Sequence, residues 1–268
     1  MSPSIFLQEA GHLLPTELAR GPWNPEALHG GAPAALITDA FERHEPTAGL
    51  AIARLGFELL RPIPFAPLRL EVRTVRAGRR VQELAAELHA EPDGGEGALI
   101  CRATALRVVG VPEGLGRLPA GALAEDSMPG PAAGTPVRFS LDDSAEAGFG
   151  ADAMEVRRLE PVGVPGPARI WMRLRPELTP GRPAGPLARL AATADFGNGV
   201  SASLPFADYT FINADLTIHL QRPPQGDWIG LDSRTLLHEG GTALAESVLH
   251  DTRGPVGRAF QALVVAPR

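Results

Sequence analysis

The chain has no lysine; all 25 of its basic residues are arginines. A Schiff-base mechanism needs a lysine amine and a phosphate-binding P-loop needs a lysine beside its glycines, so both are excluded. There is one cysteine, Cys101, which rules out an intrachain disulfide framework and a multi-cysteine zinc site, and no metal is expected. Long apolar runs are missing, so no membrane-spanning segment is expected. The opening stretch MSPSIFLQEAGHLLP has neither a basic start nor a long apolar core; it does not read as a secretory signal, and a cytoplasmic location is expected. Excess positive charge is also lacking. The net charge of -6 favours solubility and argues against nucleic acid as a partner. What remains is 268 residues of ordinary globular composition, enough for one large domain or two medium ones.

Taken in order, residues 5–20 hold two short apolar runs parted by Gly11, which predicts a hairpin. A Pro-Gly-Asn-punctuated stretch leads into a helix from about Gly31 to His44, with Pro33 tolerated in its first turn. Four strands are expected near Leu50–Leu60, Leu68–Arg76, Val81–His89 and Ala98–Val109, with turns at Pro62-Ile63-Pro64, Gly78 and Asp93-Gly94-Gly95. Residues 111–136 are rich in Gly, Pro and Ala without a period and read as a linker. The same order then returns: a hairpin near Glu155–Arg175, a helix near Leu187–Phe196, and strands near Tyr209–Leu220, Trp228–Leu237, Ala243–His250 and Gly257–Ala266.

The halves align at a constant offset of 161. Leu55, Arg61, Pro62, Leu70, Arg73, Thr74, Leu88 and His89 meet identical residues at Leu216, Arg222, Pro223, Leu231, Arg234, Thr235, Leu249 and His250. After Gly95 the offset falls to 157, where Ala105, Leu106 and Val108 match Ala262, Leu263 and Val265. Eight identities without a gap over 35 positions read as an internal duplication. Consecutive strands on short turns, each set preceded by a helix, predict an α+β fold of two helix-covered antiparallel sheets.

Within the repeat, three polar residues are out of place. Leu187, Leu190, Ala191 and Ala194 follow helical spacing and define a buried stripe, and Asp195 falls on it beside the helix C-terminus, a poor place for a charge without partners. Gln261 sits in the apolar row of Ala259, Leu263 and Val265, where an unpaired amide costs about 1–3 kcal/mol. Strict alternation puts Asn213 on one face with Asp215, Thr217 and His219. Carried back through the offsets, Asp195, Asn213 and Gln261 land on Ala34, Ile52 and Thr104, while His29-Gly30-Gly31 maps to Leu190-Ala191-Ala192. A requirement of the fold should recur in both copies; a single asymmetric site would divide its parts in this way. Taken singly, each residue has a plain structural reading. Asp195 could accept bonds from the Gly197-Asn198-Gly199 turn, Gln261 could be a satisfied core amide, and Asn213 a strand-start residue. His29 and the glycines fit a tight loop, while His89 and His250, being repeated, read as structural.

Trp23, His29-Gly30-Gly31 before a helix, Asp195 before Gly197-Asn198-Gly199, Phe211–Thr217, Arg222-Pro223, Trp228 and the closing Gly257–Leu263 together resemble the acyl-CoA thioesterases of the double hotdog fold, related to bacterial thioesterase II. The likeness is diffuse and covers nearly all of the chain outside the linker. It implies two hotdog domains, 1–110 and 137–268, around the 111–136 linker, paired as a pseudo-dimer, with further homo-oligomerisation through their sheets. It further implies an acyl-CoA or other acyl-thioester substrate, no cofactor beyond the CoA of that substrate, and a place in fatty-acid metabolism. In thioesterase II an aspartate, a threonine and a glutamine hold a hydrolytic water. Asp195 and Gln261 match the first and last by position, and Asn213 stands at the threonine, where an amide can still bond water. The expected roles are Asp195 as general base, Asn213 and Gln261 as water-positioning groups, and His29, Gly30 and Gly31 as substrate-binding residues supplying oxyanion N–H groups. Arginines at the mouth are expected to meet the CoA phosphates. Two alternatives stay open: an enoyl-thioester hydratase or dehydratase on the same fold, although Asp215 and His219, only four apart on a strand, do not form the Asp-x-x-x-x-His dyad of the hydratase type, and a non-catalytic acyl-thioester-binding module.

Overall fold

The computed structural model describes residues 2–91, 97–111, 114–116, 127–139, 148–161 and 164–268. The expected Asp93-Gly94-Gly95 turn and residues 112–113 and 117–126 of the expected linker lie outside the described residues. In the first half, hairpin strands β1 (Phe6–Glu9) and β2 (His12–Pro15) precede helix α1 (Gly31–Arg43) and strands β3 (Leu50–Leu59), β4 (Leu68–Ala77), β5 (Val81–Ala90) and β6 (Ala98–Val109). The second half repeats this with β7 (Thr135–Val137), β8 (Met154–Arg158), β9 (Ala168–Leu174), α2 (Pro186–Ala194), a single turn α3 (Gly197–Val200), β10 (Tyr209–Asn213), β11 (Asp215–Leu220), β12 (Ile229–Leu237), β13 (Thr242–Asp251) and β14 (Gly254–Pro267).

All strand pairings are antiparallel, and they form one 14-stranded sheet in the order β1-β2-β4-β5-β6-β3-β11-β14-β13-β12-β9-β8-β7, with β10 also on β14. The halves meet where β3 pairs with β11. There Leu55 faces Ile218 and Phe57 faces Leu216, while Gly56 faces Thr217. Under the offset of 161 the first two pairs exchange and the third maps onto itself, so a pseudo-twofold axis passes through Gly56–Thr217. The expected duplication is thus present in the register itself. One buried cluster holds the apolar faces of both helices (Ala32, Leu36, Phe41; Leu187, Leu190, Ala194) and inward strand residues such as Leu55, Leu84, Leu88, Leu231 and Leu249. Alternate burial along β5 and β13 follows from the two-residue strand period, with Leu84, Ala86 and Leu88 inside between less covered neighbours.

Three expectations need correction. The stretch read as linker is not structureless throughout: Pro131–Ala133 makes a helical turn, β7 pairs with β8, and the Trp171 indole donates to the Pro129 carbonyl at 2.7 Å. The offset of 161 does not extend to the helices, whose N-caps, Gly30 and Gly185, lie 155 residues apart. Six additional residues between helix start and strand make up the difference. In the last strands, Ala105 pairs with Leu84 as Gln261 pairs with Ala245, which fixes an offset of 156 rather than 157. The twins of Asp195, Asn213 and Gln261 are therefore Ala40, Ile52 and Ala105, and the polar-against-apolar contrast survives with different partners.

One ion pair ties the end of β13 to the loop after β11. Arg222 grips the fully covered carboxylate of Asp251 through two bonds of 2.6 and 2.7 Å, and the backbone N–H groups of Gln225 and Arg253 add bonds of 3.0 and 2.8 Å. Burial alone would push this carboxyl up, but the Arg222 bonds, the two N–H groups and the Arg222 charge together hold it below the usual range. Arg222→Ala leaves a buried charge unpaired and is expected to cost about 3–5 kcal/mol in denaturant unfolding. Because the folded carboxyl titrates below its unfolded value of about 4, this stabilisation is complete above about pH 4 and is lost as acid passes the folded value. The wild type and the variant should therefore converge in stability only at acid pH; a gap that does not close there contradicts the assignment.

Candidate active site

The site forms where the start of α1 packs beside the end of α2. The Leu187–Ala194 stripe turns Asp195 inward at the end of α2, where its backbone stays helical (φ -68°, ψ -14°) before the chain kinks into α3. Asp195 is only 6% exposed. Facing it is the start of α1, so close that a Cβ on Gly30 would stand 2.8 Å from Asp195 Oδ2 and one on Gly31 would stand 2.5 Å from the Ala192 carbonyl oxygen. Glycine is required at both places for this approach. The positive end of the α1 dipole thereby faces the carboxylate and compensates the unfavourable end of α2.

Side chains complete the compensation. Asn213 Nδ2 donates to Asp195 Oδ1 at 2.9 Å and to the Asp215 carbonyl at 3.3 Å. His29 Nδ1 lies 3.0 Å from Asp195 Oδ2 and also 3.0 Å from the Gly31 nitrogen. One nitrogen cannot donate to the first and accept from the second at once. A proton on Nδ1 serves the charged partner, which makes the stronger bond, and leaves the Gly31 N–H for another acceptor. The imidazole is held by stacking on Phe196, with centroids 4.3 Å apart, and by Phe149 at 5.1 Å. The Asp195 carboxylate does not bond the turn that follows it, so the plain reading of that residue fails.

Asn213 reaches Asp195 because of a β-bulge. Register runs Asn213↔Leu263 in β10 but Thr217↔Phe260 in β11, so one extra residue is inserted near Ala214. The bulge reverses the alternation: Phe211 and Asn213 face the helices with Leu216 and Ile218, while Thr217 and His219 take the opposite face. The expectation that Asn213 shares a face with Thr217 and His219 is thus wrong. A matching irregularity lies between Ile52 and Arg54 in β3, so the bulge belongs to the fold and only the asparagine is particular to this half.

Gln261, 1% exposed, faces the same interior but spends its amide on backbone. Its Nε2 donates to the Asp195 carbonyl at 3.1 Å, and its Oε1 accepts from Asn198 N–H at 3.0 Å. It is a satisfied core amide, and what it satisfies is the kink that aims Asp195. Beside the carboxylate lies a cavity of about 10 Å³ walled by Gly30, Ala34, Ile37, Phe57, Cys101 and Leu216. That is about the space one water requires. Burial, and next the Glu58 carboxylate, push the Cys101 thiol up to about 12, so it stays protonated at neutral pH and is no nucleophile.

The fold and this junction can now be set beside known proteins. Solved structures of similar shape include a hot dog fold protein from Alicyclobacillus acidocaldarius (18% identity, 98% of this chain and 95% of that one, TM-score 0.70). A candidate thioesterase from Novosphingobium aromaticivorans matches at 22% identity over 98% and 92% of the two chains, with TM-score 0.65. The acyl-CoA thioesterase II TesB2 of Mycobacterium marinum matches at 18% over 94% and 96%, with TM-score 0.62. No curated protein sequence matches the chain. The architecture is the double hotdog. Residues 19–108 match the acyl-CoA thioesterase N-terminal domain and residues 124–265 the acyl-CoA thioesterase C-terminal domain, and the chain belongs to that family. It is an acyl-CoA thioesterase, with an acyl thioester as substrate. Among the described residues, no helix is long and apolar enough to cross a membrane.

Three variants test the geometry. Gly30→Ala meets only the tip of the Asp195 side chain, so folding should hold while turnover falls at least tenfold. Gly31→Ala meets a backbone carbonyl and should lower stability by about 1–3 kcal/mol, read as a drop in Tm. Cys101→Ala should retain thiol-releasing activity, and the wild-type thiol should resist alkylation at pH 8 until the protein is unfolded; rapid alkylation of the folded protein would contradict its burial.

Proposed function

We propose that Asp195 activates a water for attack on the thioester carbonyl. The observation that carries this reading is the water-sized cavity against a carboxylate whose two oxygens are oriented by His29 and Asn213, each keeping a second lone pair. Asp195 takes the proton as water adds to the carbonyl carbon. Asn213 has both amide N–H bonds engaged, so its Oδ1 is the atom that accepts from the water and orients it. The oxyanion forms at the start of α1, where the Gly31 N–H and the helix dipole favour negative charge. On collapse the C–S bond breaks and the proton held by Asp195 passes to the departing sulfur, giving free acid and thiol. Gln261 acts through the backbone it holds and is a positioning residue, as His29 is through the carboxylate. The reaction belongs to one junction of the two helices, between an N-terminal hotdog domain at 1–110 and a C-terminal one at 137–268.

A second reading rests on the His29–Asp195 contact, a paired acid and imidazole of the kind that hydrates an enoyl thioester. Thiol release and loss of the conjugated enoyl absorbance separate the two. Asp195→Asn should lower thiol release from acyl-CoAs by at least 10³-fold with Tm within a few degrees of wild type, and Asn213→Ala by about 10–100-fold. Asp195→Asn protein that still hydrolyses at the wild-type rate removes the aspartate from the base role. Loss of enoyl absorbance without thiol release would favour the hydratase.

A further inference from the structure

The pseudo-twofold axis creates two helix junctions. At the second, the end of α1 meets the start of α2, and a Cβ on Gly185 would stand 3.4 Å from Glu42 Oε2, much as one on Gly30 would meet Asp195. A cavity of about 240 Å³ opens there, walled by Leu50, Ile52, Leu187, Leu220, Pro223 and Pro224, with Glu42 and Arg107 as its charged groups and Thr47 and Ala51 on its rim. Three of its walls are twins of residues at or near the Asp195 junction. Ile52 stands for Asn213, Pro186 for Gly31 and Leu220 for Leu59. The cavity thus lies at the counterpart junction, where Ala40, Ile52 and Ala105 stand in the places of Asp195, Asn213 and Gln261, and of these three Ile52 lines it.

Its two charged groups differ in how far the fold commits them. Arg107 is 3% exposed, and its guanidinium donates to the carbonyls of Phe41, His44 and Glu45, closing the C-terminus of α1 and fixing a positive charge in the wall. Glu42 keeps an exposed edge, yet loss of water, and next the Asp39 carboxylate, push its carboxyl above the usual range, with Arg107 pulling the other way. The volume falls below the ~300–1,000 Å³ of pockets for drug-sized ligands and suits an acyl segment rather than a whole CoA ester.

We propose that this cavity is a second, non-hydrolytic acyl pocket, which holds the chain of an acyl-CoA or of the acid released from it. The inference rests on the reading of the Asp195 junction as the site that handles acyl thioesters. Equilibrium titration with a non-hydrolysable acyl-CoA thioether should give two equivalents bound per chain for the wild type. Ala51→Trp, which fills the cavity from its exposed rim, should bind one equivalent and release thiol within twofold of the wild-type rate. Thr47→Trp, at a second exposed lining residue, serves as the second variant should Ala51→Trp lower Tm. The matching free acid is titrated in parallel: binding at the Ala51→Trp-sensitive site marks the product as occupant, and its failure to bind there while the thioether does marks the thioester. One equivalent of thioether on every protein, unaffected by either tryptophan, overturns the proposal. No binding at all overturns it too, and combined with absent thiol release it removes the Asp195 reading as well.

Discussion

The close approach of Gly30 and Gly31 to the end of α2 is the constraint on which the rest of the molecule depends. A carboxylate that is 6% exposed at a helix C-terminus is stable only if positive potential and hydrogen-bond donors reach it. Here they come from elements distant in the chain: the start of α1, the imidazole of His29 stacked on Phe196, and the amide of Asn213 lifted inward by a bulge. Gln261 secures the kink that aims the carboxylate. Any side chain on either glycine would part the helices or displace the acid, so the packing of the two halves and the construction of the site are one problem.

Duplication supplies the rigidity this arrangement needs. The self-matching Gly56–Thr217 register fixes the halves to each other along a continuous sheet, and further ties cross between them, such as Arg182 to Asp39 and the backbone of Ile5 and Phe6 to Glu177 and Leu178. With the scaffold supplied twice, each half has been free to diverge. The first gives a glycine-led helix start, and the second gives the acid and its amides. The bulge recurs in both, at Ile52–Arg54 and near Ala214, and becomes consequential only where the residue it turns inward is polar.

Much of this was legible in the sequence because it is local. Helical spacing placed Asp195 on the buried stripe, strand alternation placed Gln261 in the apolar row, and the ends of α1, β3 and β6 fell within a residue or two of their expected positions. What escaped depends on pairing. The extra residue at Ala214 is invisible without its partner strand, and it reversed the face assigned to Asn213. The six additional residues between helix start and strand shift the helix register, so the twin of Asp195 is Ala40 and not the Ala34 that a constant offset implies. His29 and Asp195 are 166 residues apart, and nothing local indicates that they touch. Phe149, which packs on His29, follows residues outside the described set and carried no pattern of its own. Glycine pairs bordering a helix start, in one half only, were the sole sign of the close contact.

The central claim is that the buried acid at this junction activates water and does not itself attack the substrate. A single turnover of enzyme in excess over acyl-CoA, run in ¹⁸O-water, tests it most directly when the product acid and the peptide containing Asp195 are both weighed by mass spectrometry. The account predicts one heavy oxygen in the acid from the first turnover and none in Asp195. An unlabelled acid from that turnover, with the label found in the Asp195 carboxylate, would show a covalent anhydride and contradict it.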